Sequence, residues 1–256
     1  MSDESIKKYR LSKRTWVAIV FISIVIPIAL IGCGSLMQTL KIKFNVLGHP
    51  VVWRLHYAIS LLIIICAMIP FFMVFEKRKP QARELIIIAT LSAIAVAGRA
   101  AFFMLPQFKP VCAIVIIAGV CFGAESGFLV GAVSGFVSNF FFGQGAHTPW
   151  QMFCFGIIGF IAGILFKKGL LKRSRIALCI YGGLSVFLIY GGIINMGTML
   201  GSGTAINWAA VLARYASAIP MDLIHAGATV FFLYVLSQPM IEKLERIKTK
   251  YGLIEA

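Results

Sequence analysis

Residues able to do chemistry are few in this sequence, and they fall in four places. Arg99 lies within an apolar run, in the segment Gly98–Pro110. An unpaired charge there is costly and should face a cavity or a partner. Pro106 and Pro110 break the helix and stiffen a short turn that carries Phe103, Gln107 and Lys109. The segment Asn139–Met152 combines Asn139, Gln144, His147, Trp150 and Gln151 with Phe140, Phe141 and Phe142. Such a mixture suits a bulky, partly apolar ligand, whereas an aromatic belt at the membrane surface explains Trp150 alone. The last apolar run holds Trp208, Arg214, Asp222 and His225, and Asn195 ends the run before it. Asp222 requires a partner, with Arg99 or Arg214 as candidates. An ion pair of Asp222 with Arg214 would fasten spans together; a proton relay through Asp222 and His225 is the functional alternative. Finally, Ala89, Ala93, Ala97 and Ala101 recur every fourth residue. In lipid such a ridge permits close helix approach, either within the chain or to another subunit.

These residues offer little to catalysis. A phosphate loop, an HExxH pair and paired carboxylates within one motif are all missing. The six cysteines are scattered without a CxxC pair and read as small buried hydrophobes. The expectation is a protein that is not an enzyme, with no catalytic residue, no cofactor and no metal ligands.

The elements that must position these groups are membrane spans. Hydrophobic residues make up 60% of the 256 and charged residues only 13%, with mean hydropathy +0.92. A soluble domain carries about a quarter charged residues. Apolar runs predict eight helices, near 15–37, 57–75, 84–105, 111–123, 126–142, 151–166, 176–196 and 209–237. Most of the 24 Lys and Arg residues lie in four clusters, around 7–14, 77–83, 167–175 and 243–250. The clusters sit two spans apart, which places both chain ends in the cytoplasm. The net charge of +15 is therefore topology with anionic-lipid contact, and nucleic acid is excluded as a partner. Residues 38–56 become an outer loop. Leu30–Cys33 has the look of a lipoprotein cleavage box but reads as part of an ordinary first span.

The charge run at 76–83 divides the chain. Residues 1–81 form a plain two-span hairpin, residues 82–240 a six-span bundle, and residues 241–256 a cytoplasmic helix extension. The fold class is all-α.

The six-span part resembles the substrate-binding S-component of energy-coupling factor (ECF) vitamin transporters. The resemblance rests on the ridge Ala89, Ala93 and Ala97 and on the segments Gly98–Pro110 and Asn139–Met152; the leading hairpin departs from the six-helix pattern. It implies a subunit that binds a vitamin from outside and docks by its alanine ridge on a transmembrane coupling subunit served by two ATPase subunits. Thr148–Met152 is similar to corrinoid-type members, which implies cobalamin. The implied pocket comprises Arg99, Phe103, Gln107, Lys109, Asn139, Gln144, His147, Trp150, Gln151, Asn195 and Trp208.

Overall fold

A computed structural model describes residues 41–46, 49–54, 82–167, 169–202 and 207–250, with helical residues 62, 65, 66, 68, 69, 72, 73, 75 and 76. The expected first span, 15–37, lies outside the described residues, as does most of 57–75. Helix α1 runs Ala82–Ala101, α2 Val111–Phe122, α3 Ala124–Phe142 and α4 Thr148–Lys167. Helix α5, Arg175–Leu184, passes through a π-helical stretch at Ser185–Tyr190 into α6, Gly191–Ser202. Helix α7 runs Trp208–Lys250. Five of the described helical stretches are long and apolar enough to cross a membrane: α1, α3, α4, the α5–α6 rod and α7. Together they define a multi-pass membrane protein.

One departure from the all-α expectation falls in the expected outer loop. Lys41–Val46 (β1) pairs antiparallel with His49–Arg54 (β2), from Lys41 opposite Arg54 to Val46 opposite His49. Two residues, Leu47 and Gly48, remain between the strands, the usual spacing of a tight hairpin. Lys-Ile-Lys-Phe-Asn-Val alternates polar and apolar residues with a period of two, which favours a strand.

Helix α2 is the core. All twelve of its residues are buried, and α1, α3, α4 and α7 pack around it. Twelve residues rise only about 18 Å, short of a hydrocarbon layer of about 30 Å. Helices α2 and α3 meet at Gly123, whose φ of 101° suits glycine. They close on α4 through backbone contact. A Cβ on Gly159 would lie 2.5 Å from the Gly127 carbonyl oxygen and 2.7 Å from Val115 Cγ1. A Cβ on Gly127 would lie 2.6 Å from the Gly159 carbonyl oxygen. Small residues therefore replace side-chain interdigitation at the centre of the bundle.

The expected hairpin is not wholly lipid-facing. Met68 and Phe75 are buried, and Phe72 meets Phe128 of α3 edge-on at 6.0 Å. Met68 joins an apolar cluster with Phe128, Trp150 and Phe153.

The basic clusters that are described gather at one end of the bundle. Arg173 pairs with Glu245 at 3.0 Å, Lys248 Nζ donates to the Cys121 carbonyl at 3.4 Å, and Ser126 Oγ donates to Glu84 at 3.0 Å. At this end Ser174 caps α5, its Oγ accepting from the Ala177 amide at 3.2 Å. Ser174→Ala is expected to lower stability by about 1 kcal/mol, read as a reduced melting temperature in detergent. Helix α7 runs on past the end of the apolar run at 237 to Lys250, with Pro220 and Pro239 inside it.

Candidate substrate site

At the opposite end from the basic clusters, buried polar groups converge from every helix of the bundle. Helix α1 ends at Ala101, sooner than the apolar run predicts, because the chain turns back at once. Pro110 packs on Gly98, where a Cβ would lie 2.6 Å from Pro110 Cγ. Phe102 and Phe108 fold onto Phe232 of α7 at 5.1 and 5.3 Å. This closure leaves Arg99 buried at 8% exposure on the inner face of α1.

The guanidinium is held from α3. Arg99 Nη1 donates to Ser138 Oγ and, at 2.9 Å, to Asn139 Oδ1, and its plane lies 4.4 Å from the Phe142 ring centroid. Asn139 Nδ2 donates in turn to Thr148 Oγ1 at 3.2 Å, and Thr148 Oγ1 donates to Gln144 Oε1 at 2.9 Å. Gln144 Nε2 reaches back to the Phe136 carbonyl at 3.0 Å. Gln144 thus ties the end of α3 to the start of α4.

A second group lies beside the first. Gln151 Nε2 donates to Tyr190 Oη at 3.1 Å, while Gln151 Oε1 is buried without a partner among the described residues. Tyr190 stacks on Phe155 at 5.2 Å and meets the His225 ring edge-on at 4.6 Å. His225 Nε2 lies 3.4 Å from Cys112 Sγ of α2, and Phe155 lies 5.9 Å from Arg99 and joins the two groups. Tyr190 closes the π-helical stretch. Widening a helix by one residue per turn re-aims the side chains on it, and such turns recur at functional sites. Among the described residues no carboxylate lies within ion-pair distance of Arg99.

The implied pocket residues divide accordingly. Arg99, Asn139 and Gln151 enter the buried cluster. Lys109, half-buried, lies 5.4 Å from the Phe142 ring, and Phe103 lies 5.1 Å from the same ring. Burial, then the neighbouring Arg99 charge, lowers the Lys109 pKa from its ordinary value. Gln107 (φ 56°), Gln144, His147 and Trp208 are exposed. Trp150 is buried in apolar packing, against Gly197. Asn195 is buried, but its Nδ2 donates to Asp222 Oδ2 at 2.9 Å.

That last contact corrects one expectation. Asp222 and Arg214 form no ion pair among the described residues. They lie more than two turns apart on α7, about 12 Å of helical rise; the Asn195 amide bonds the carboxylate, and the Arg214 charge acts on it from beyond ion-pair distance. The residues missed by sequence reasoning are Ser138, Phe155, Tyr190 and Cys112. Phe155 follows Gln151 by four positions, which sets both on one face of α4; that spacing was the available signal.

The alanine ridge faces outward. Ala89, Ala93, Ala97 and Ala101 are exposed, while Glu84, Ile88, Leu91, Ser92, Ala95, Val96 and Arg99 form the buried face of α1. Packing of the ridge within the six-helix bundle is thereby excluded.

The described helices form a multi-pass membrane bundle with buried polar side chains gathered toward one end. The chain belongs to the family of ECF transporter substrate-specific components, whose sequence pattern matches residues 83–237. Members of this family are substrate-binding transport subunits that work with an ECF module. The chain is also similar to a UPF0397 protein of Aliivibrio fischeri (strain MJ11), 27% identical over 69% of this chain and 98% of that one. A UPF0397 protein of Vibrio atlanticus (strain LGP32) is 26% identical over 46% of this chain and 68% of its own length. One from Aliivibrio salmonicida (strain LFI1238) is 28% identical over 49% and 68% respectively. No solved structure matches the chain.

Proposed function

We propose that this chain is the specificity subunit of an ATP-driven vitamin importer in the cell membrane, with both termini cytoplasmic. It captures its ligand from outside and docks through Ala89, Ala93 and Ala97 on a transmembrane coupling subunit that carries two ATPase subunits. The observation that carries this reading is the buried Arg99–Asn139–Gln151–Tyr190–His225 cluster, remote from the basic end that the positive-inside rule assigns to the cytoplasm. The outward-facing alanine ridge supports the docking step. Cobalamin is the first ligand to assay, on the resemblance of Thr148–Met152 to corrinoid-type members. That segment contributes Gln151 to the cluster and Thr148 as the acceptor of the Asn139 amide, while Trp150 serves packing.

The test is reconstitution in liposomes, with ligands identified by native mass spectrometry of the purified chain. The chain alone is expected to bind without accumulating solute, and accumulation is expected to require the coupling subunit, both ATPases and ATP. Accumulation by the chain alone without ATP, lost in Asp222→Asn, would overturn the proposal in favour of an ion-coupled secondary carrier.

A further inference from the structure

Arg99 is a buried cation whose charge no carboxylate balances among the described residues. Its bonds are one-sided. Nη1 donates to both Ser138 and Asn139, whereas Nε and Nη2 make no hydrogen bond among the described residues. Nor are these two among the polar atoms sealed in the interior without a partner, which include Gln151 Oε1. The Nε–Nη2 edge of a guanidinium is a fork that matches the two oxygens of a carboxylate. Lys109 adds a second positive charge at the mouth, close enough to Arg99 for that charge to lower its pKa. Phe142 and Phe155 flank the guanidinium, and Tyr190 and His225 continue the aromatic wall beyond Phe155.

We infer that the substrate is an organic carboxylate, seated bidentate on the Nε–Nη2 edge of Arg99, with a flat apolar body against the aromatic walls. An uncompensated cation in a low-dielectric site favours an anionic ligand over a neutral isostere of the same shape. Ser138 and Asn139 act as positioning residues, because they hold Nη1 and leave the Nε–Nη2 edge free. This inference rests on the substrate-binding role proposed above and names the chemistry that the site selects.

Benzoate and its neutral isostere benzamide test it on the purified full chain, each at 10 mM (about the level a fragment requires), against sodium chloride at matched ionic strength. Benzoate is expected to raise the melting temperature of the wild type by about 2 °C or more, and benzamide to leave it unchanged. Arg99→Gln should lose that response, and Arg99→Lys, a point charge without the fork, should keep a smaller one. The wild-type comparison stands even if a variant fails to fold. Equal shifts from benzoate and benzamide, no shift from either, or an undiminished benzoate shift in Arg99→Gln would each overturn the inference. Capture of the coupling subunit by the same preparation tests the transporter role separately. A chain that captures it yet ignores benzoate loses the carboxylate anchor alone.

Discussion

Gly159→Val is expected to prevent the six-helix unit from packing, with a loss of about 3 kcal/mol or more and a melting temperature lower by roughly 10 °C. The cause is backbone against backbone. A Cβ at Gly159 would lie 2.5 Å from the Gly127 carbonyl oxygen and 2.7 Å from its carbon. No rotamer change relieves a clash with a main chain, so α3 and α4 would have to separate. These helices and α2 share that contact, and the whole core would move with them. Gly192→Ala and Gly227→Ala are the matched controls, since a Cβ at either meets nothing within 4 Å. Both should be neutral or stabilise slightly, by roughly 0.5 kcal/mol, through reduced backbone freedom. Thermal unfolding in one detergent separates the outcomes. A Gly159→Val melting temperature within 2 °C (about 1 kcal/mol) of the wild type would show that the three-helix contact is not tight.

The second large effect concerns transport. Ala93→Trp is expected to leave ligand binding and thermal stability unchanged while reducing ATP-driven uptake by at least about tenfold, equivalent to 1.4 kcal/mol of docking energy. Ala93 is exposed, and it lies across α1 from Ala95 and Arg99, which face the core. An indole there cannot reach the site, but it holds a second helix away from the ridge. Undiminished uptake would show that the coupling subunit docks elsewhere on the chain.

The sequence made the framework legible because the framework is local. Apolar runs located α1 to α7 to within a few residues at most ends, and charge clusters located the end where Arg173, Glu245 and Lys248 meet. The four-residue recurrence of alanine identified one face of α1 before any packing was known. The site was less legible because it is assembled from different helices. Arg99, Asn139 and Gln151 are conspicuous polar residues in apolar surroundings, and reading them as pocket residues required only the cost of burial. Tyr190, Phe155 and Cys112 look like any other apolar-run residues. Their role follows from the π-helical stretch and from how α2, α4 and α7 cross, and neither leaves a local pattern. Trp208 and His147 are the converse: aromatic and polar residues near expected helix ends that the structure leaves exposed. The β1–β2 hairpin was legible in the alternation of Lys41–Val46, within residues read only as an outer loop.

The brevity of α2 bears on how the chain enters the bilayer. A segment of twelve apolar residues, ending at a glycine that leads directly into α3, is too short to be retained as an independent stop signal by an insertion apparatus that measures length. It must therefore pass into lipid as one limb of a helical hairpin with α3. Its buried glycine contacts then wait for α4, which is synthesised later. The centre of the mature protein is consequently among the last parts to acquire its native neighbours. A chain arrested before Thr148 would present its most apolar helix without α4, one of the partners that enclose it.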